Sequence, residues 1–137
     1  MKIALLGTGK TGGKVVELHG ADNVTQFNSA NPPTLNKLKG HDVVISFVPG
    51  PIFVEYIDML IESGIPVVSG STGFDWPEDI NQRLKAKNVA WITASNFSLG
   101  MNLVRGMIKV LAKAPLLFDN FDLKLHEIHH VHKKDQP

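Results

Sequence analysis

The sequence predicts an α/β fold in which a doubly wound, mainly parallel sheet carries helices on both faces. Three observations predict it. Apolar runs of strand length alternate with helix-length stretches along the chain. The connections are short, and alternation with short connections favours parallel strands joined by crossover helices. A glycine cluster, Gly7 to Gly12, stands where the first strand gives way to the first helix.

Each element has its own signal. Residues 2–6 form a short β-type run closed by glycines. Residues 11–20 follow as a helix, with Val15, Val16 and Leu18 on one side and Gly20 as its stop. Residues 24–28 are a second strand, and Asn31-Pro32-Pro33 turns into a short helix through Leu35 and Leu38. Residues 42–48 read DVVISFV, nearly continuous in apolar residues, as expected of a strand buried on both faces. Pro49-Gly50-Pro51 breaks it. A helix over 52–63 then offers Ile52, Tyr56, Met59 and Leu60 to one face, and Gly64 ends it. Residues 66–69 make a fourth strand, with Pro66 tolerated as its first residue. Trp76-Pro77-Glu78 opens a polar helix to about 87, with proline in the first turn. Residues 89–93 are a fifth strand, 99–114 a long helix stopped by Pro115, and 122–131 a sixth strand.

Composition bounds the function. At 137 residues and 43% hydrophobic, the chain holds enough apolar material for one core. A chain of this size buries roughly two-thirds of its extended surface on folding. Fourteen basic side chains against thirteen acidic ones leave a net charge of +1, which gives no general attraction to nucleic acid or anionic lipid. The absence of cysteine excludes disulfides and thiolate chemistry. The N-terminal apolar run is too short for a signal peptide, and no stretch approaches a membrane span. The expectation is a soluble, cytoplasmic protein.

Gly7-Thr8-Gly9-Lys10-Thr11-Gly12 fits G-x-G-x-x-G after a strand and before a helix, the signature of a Rossmann-type fold. Gly7 can make the tight turn, Gly9 leaves the backbone bare for a pyrophosphate, and Gly12 lets helix and strand approach. The helix start then offers N–H groups and partial positive charge to phosphates. A glycine turn that only joins strand to helix is the plain alternative. The acidic residue usual about 20 positions further on is missing. Asn28 or Ser29 could instead bond an adenosine ribose, and no nearby arginine favours a 2′-phosphate. The sequence therefore leaves NADH and NADPH both open.

Ligands in such folds lie beyond the carboxyl ends of the strands. Three more segments fall there: Ser46-Phe47-Val48-Pro49, Gly70-Ser71-Thr72-Gly73-Phe74 and Ala94-Ser95-Asn96-Phe97-Ser98. Their hydroxyl, glycine and amide groups suit ribose and carboxamide, although such residues also simply make turns. Further on, four of the six histidines fall within His126 to His132. On a strand, His129 shares a face with Leu125 and Glu127, and His130 the other with His126 and Ile128. Three readings of this segment compete. One is a metal site from His126, His130 and His132, which no cysteine supports; no metal is expected. Another is a solvated strand end. The favoured one is acid–base chemistry on an anionic substrate, with histidine exchanging protons near neutrality and lysine adding charge.

These segments together resemble the dihydrodipicolinate reductases. That family carries a glycine-rich loop, an Asp-Phe pair ending the third strand, G-T-T-G, N-F-S-x-G-x-N and E-x-H-H-x-x-K-x-D-x-P-S-G-T. Here Gly7 to Gly12, Ser46-Phe47, Gly70-Ser71-Thr72-Gly73, Asn96-Phe97-Ser98-Leu99-Gly100-Met101-Asn102 and Glu127 to Pro137 follow in the same order and spacing. The resemblance implies His129 as the catalytic acid–base residue, Lys133 as proton donor and His130 as a substrate contact. It implies that Gly70, Ser71, Thr72, Ala94, Ser95, Asn96 and Phe97 line the nicotinamide side of the cofactor, with Phe47 also in the cofactor site. The implied reaction reduces a cyclic imine dicarboxylate with NADH or NADPH in lysine and diaminopimelate biosynthesis. Implied partners are a small anionic dicarboxylate substrate and, for a full-length form, three further copies in a homotetramer. Neither nucleic acid nor a membrane is expected as a partner.

Three departures matter. Thr11 replaces the usual methionine, Ser46 replaces the usual aspartate, and Pro137 precedes the family's S-G-T segment. On this reading 1–121 is a dinucleotide-binding domain, 122–137 begins the catalytic and substrate-binding segment, and the C-terminal substrate-binding domain is largely absent. Two alternatives remain at this point: a nucleotide-binding module without catalysis, and another amino-acid or semialdehyde dehydrogenase. The latter does not account for His129, His130 and Lys133 after the N-F-S-x-G segment.

Overall fold

Isoleucine, valine and leucine runs become short strands: β1 (Ile3–Leu6), β2 (Val24–Phe27), β3 (Val43–Ser46), β4 (Val67–Ser69) and β5 (Trp91–Thr93). The computed structural model describes residues 1–118, 120, 122–128 and 131. The chain divides into two units, Met1–Phe97 and Ser98–Pro137.

The first unit holds one sheet in the order β2-β1-β3-β4-β5, with every pairing parallel. The chain leaves β1 for β2 on one side and returns to place β3 on the other, so the order reverses between β1 and β3. Helices α1 (Lys10–His19), α2 (Leu35–Leu38), α3 (Gly50–Ser63) and α4 (Ile80–Lys87) make the connections. Val15 and Val16 of α1 pack on Ile3, Leu5 and Val24 on one face. On the other, Ala4, Leu6, Phe27, Val44 and Val67 meet Leu38 of α2, Ile80 of α4 and Phe53, Ile57, Leu60 and Ile61 of α3. The sheet therefore carries helices on both faces, and the expected α/β architecture holds.

Several local expectations shift. Leu18, assigned to the packed side of α1, is 85% exposed, because the two valines already fill the seam. The inward face of α3 is Phe53, Ile57, Leu60 and Ile61, while Ile52 is exposed. Pro51 joins α3 rather than preceding it, since a proline in the first turn forfeits no intrahelical bond. Gly64 ends α3 in the left-handed region at φ 67°. In β3, Val44 and Ser46 are buried, but Val43 and Ile45 are only half-buried. On the face bearing Ile45, Ile92 of β5 is 61% exposed.

Four rings close the α3 face. Phe53 is fully buried and stands 5.5 Å from Phe74, 5.8 Å from Trp76 and 6.0 Å from Trp91, centroid to centroid. Tilted and edge-on packing of this kind suits the ring quadrupoles. The buried Trp91 Nε1 has no hydrogen-bond partner among the described residues. Nearby, Arg83 of α4 meets Asp58 of α3, and that hydrogen bond raises the guanidinium pKa above its ordinary value.

The second unit contains α5 (Leu99–Leu111), capped by Ser98, whose Oγ accepts from Met101 N–H at 3.4 Å. The helix ends earlier than the expected residue 114. A short 3₁₀ turn, Ala114–Leu116, takes in Pro115, which lacks the N–H needed to continue an α-helix. The expected sixth strand is absent from the described residues 122–128. Their alternation of Leu123 and Leu125 with polar neighbours suits a strand, but a strand also needs a ladder partner. They make none, and Leu125 and Ile128 stay 72% and 83% exposed. Among the described residues no helix is long and apolar enough to cross a membrane.

Phe53 is the ring on which the α3 face converges. Phe53→Ala is expected to cost about 3–5 kcal/mol, read as a lower urea midpoint at unchanged slope.

Candidate functional site

The sheet ladder runs one residue past β1, β3, β4 and β5. Gly7 N–H donates to Phe27 O (3.0 Å), Phe47 N–H to Leu6 O (2.9 Å), Gly70 N–H to Ser46 O (2.9 Å) and Ala94 N–H to Ser69 O (3.1 Å). These bonds set four exit loops side by side along one edge. All four anchoring residues belong to the set expected from the sequence.

The glycine loop is shaped by two close approaches and one open position. Gly7 sits at φ 94°, a region that favours glycine, and a Cβ there would come within 3.0 Å of the Phe47 carbonyl carbon. Gly12 lies so close to the loop that a Cβ would fall 2.0 Å from Gly7 O. Gly9 is different: a Cβ there would meet nothing within 4 Å. It is the N-cap of α1, and no side chain caps that helix. Uncapped N–H groups at a helix start carry partial positive charge. Thr8, Lys10 and Thr11 are exposed around the turn.

Phe47 is held by what Gly70 lacks. A Cβ on Gly70 would sit 2.7 Å from the Phe47 ring, which also meets Phe97 edge-on at 6.5 Å. Below them, buried Ser46 Oγ lies 3.2 Å from Ser71 Oγ, and Ser71 N–H donates to Ser69 Oγ at 3.2 Å. Ser46, where the family pattern noted above has an aspartate, is thus paired with a second hydroxyl.

Two hollows lie on either side of β3. One, of about 220 Å³, is bounded by Leu6, Phe27, Val48, Asn28 and Ser29. The other, of about 290 Å³, is walled by Ser71, Thr72, Gly73, Thr93, Ala94 and Ser95. The structure therefore brings together the residues expected from the glycine loop, Asn28, Phe47, the 70–72 loop and the 94–97 loop on one edge. His129, His130 and Lys133 lie outside the described residues.

Sequence reasoning missed Gly50. Its N–H donates to Thr72 O at 3.1 Å, and a Cβ would fall 2.4 Å from that oxygen. Gly50 thus locks the start of α3 onto the loop after β4. A glycine between two prolines reads as a breaker, and only the tertiary approach reveals its second role.

An all-parallel sheet with a tight glycine turn at the point where strand order reverses defines a Rossmann-type α/β fold. The crystal structure of aspartate dehydrogenase from Thermotoga maritima shares it, with a TM-score of 0.55 at 15% identity over 80% of this chain and 52% of that one. Residues 22–97 match the family described as dihydrodipicolinate reductase, N-terminus, and the chain belongs to that family. The match starts after the glycine loop, so it is carried by β2 onward. Curated relatives agree. A 4-hydroxy-tetrahydrodipicolinate reductase of Syntrophus aciditrophicus is 36% identical over 73% of this chain and 37% of its own length. Its namesake in Thiobacillus denitrificans is 33% identical over 88% of this chain and 46% of its own. That of Methanocaldococcus jannaschii is 30% identical over 97% and 44%. The chain spans less than half the length of these relatives.

The contrast between two glycines can be measured. Gly12→Ala forces a methyl onto the Gly7 carbonyl and is expected to cost about 3 kcal/mol, the upper end for overpacking. Gly9→Ala is expected to leave the thermal midpoint within about 2 °C, a shift of under 0.5 kcal/mol.

Proposed function

We propose that this chain is the nucleotide-binding part of a 4-hydroxy-tetrahydrodipicolinate reductase that takes NADH or NADPH. The observation that carries the reading is the open Gly9 position at the uncapped start of α1, beside the point of strand reversal. A pyrophosphate needs bare backbone N–H groups at a helix start, and this turn has them. The residues present therefore fit the group.

Roles then follow along the edge. The amides from Gly7 to Gly12 hold the phosphates, with Thr8, Lys10 and Thr11 at their margin. Asn28, just after β2, would meet the ribose of the adenosine half. Phe47, Gly70, Ser71 and Thr72, with Ala94, Ser95, Asn96 and Phe97, line the nicotinamide half. Bound there, the reduced nicotinamide supplies a hydride. The substrate is a cyclic imine dicarboxylate that gains that hydride and a proton and loses its hydroxyl as water. On the family pattern, the His129 imidazole and the Lys133 ammonium manage the protons, and His130 contacts the substrate. A cation such as Lys133 also stabilises negative charge developing as the ring is reduced. In the whole protein these steps belong to lysine and diaminopimelate biosynthesis, carried out by a homotetramer.

Binding and chemistry are separable. Trp76 borders the hollow formed by the 71–73 and 93–95 loops, and Trp91 lies 6.3 Å from Trp76. Titration with NADH is therefore expected to quench tryptophan emission and excite nicotinamide emission by energy transfer. Folded protein that shows neither at millimolar NADH would not be a nucleotide-binding domain of this kind. Gly9→Ala should weaken that binding about tenfold without loss of fold. In the full-length enzyme, His129→Ala with Lys133→Ala should lower kcat by about 10²–10⁴. Undiminished turnover would remove both residues from the chemistry.

A further inference from the structure

Dinucleotide-binding folds usually place a carboxylate about 20 residues beyond the glycine loop, where it accepts hydrogen bonds from the adenosine ribose. Here Asn28 stands at the end of β2 instead. Its side-chain oxygen is already committed, accepting from Ala30 N–H at 3.0 Å and Asn31 N–H at 2.9 Å. Two backbone donors fix which way the amide faces, so Asn28 offers a ligand its Nδ2 donor alone. It does not replace the missing acceptor.

The hollow that Asn28 borders has a second wall. Glu55, in the second turn of α3, lines the same hollow as Asn28 and Ser29, together with Ile52 and Tyr56. No described lysine or arginine lines it. Lys37 of α2 turns its ammonium back to the preceding loop, donating to Asn31 Oδ1 at 2.7 Å and Pro32 O at 3.0 Å.

Resting on the nucleotide-binding reading above, we propose that Glu55 supplies the missing ribose-reading carboxylate from α3, and that it makes the site select NADH over NADPH. A ribose 2′-hydroxyl is a donor and satisfies the carboxylate. A 2′-phosphate is an acceptor of the same sign, with no lining cation to offset the repulsion. The acid has moved from the strand end to the facing helix, and its electrostatic role has moved with it.

The test is direct binding by tryptophan-to-nicotinamide energy transfer, with far-UV circular dichroism as the folding control. Wild-type protein is expected to bind NADH about tenfold more tightly than NADPH. Glu55→Gln should weaken NADH and bring the two within about threefold, and Glu55→Lys should reverse the order. Competition by 5′-AMP and adenosine 2′,5′-bisphosphate should show the same change, which confines it to the 2′ position. Equal wild-type affinities, or a ratio that Glu55→Gln leaves unaltered, would overturn the assignment while leaving nucleotide binding intact. Folded wild-type protein that binds neither nucleotide would overturn the assignment together with the binding function on which it rests.

Discussion

A methyl group on Gly12 would collide with the carbonyl of Gly7, and that carbonyl belongs to the turn that closes β1. The contact brings the start of α1 against the end of the first strand. It fixes where the uncapped helix terminus points and how near the loop lies to Phe47. Since Gly7 N–H is bonded to Phe27 O and Phe47 N–H to Leu6 O, the turn is tied on both sides to the neighbouring strands. The edge that collects the candidate ligand groups is thus assembled by backbone. Backbone hydrogen bonds are obligatory in a buried sheet, so such an edge is more rigid than one built from side chains.

The same logic extends outward from β3. Gly70 makes room for the Phe47 ring, and Gly50 admits the Thr72 carbonyl. Two missing side chains therefore join the exits of β3 and β4. The rings of Phe53, Phe74, Trp76 and Trp91 fill the volume beneath the loop after β4. Substantial apolar burial thus supports loops whose exposed groups are small and polar. A binding edge needs that division: chemistry on mobile-looking residue types, position from a packed base.

Sequence periodicity succeeded where neighbours in the chain settle the outcome. The strands are recognisable because β-branched runs are short and bounded by turn residues. On α3 periodicity found Leu60, Tyr56 and Met59, which do pack on the core, but it took Ile52 for the inward residue instead of Phe53, because both are apolar and only the sheet decides which turns inward. It also predicted a strand at 122–131 from alternation alone. Alternation describes what one strand would bury, whereas pairing depends on an available edge in register. Residues 122–128 have the pattern without the partner.

By itself the sequence determined the strand-helix alternation, the glycine turn and the polar composition of each strand exit. These depend on local backbone geometry, on residue volume and on which residues accept a positive φ. It also carried the family pattern, which the match over 22–97 upholds. Only the tertiary structure decided the order β2-β1-β3-β4-β5, the coupling of Gly50 to the loop after β4, and the meeting of Glu55 and Asn28 around one hollow. Those facts join residues far apart in the chain, and no local propensity encodes which distant surfaces will meet.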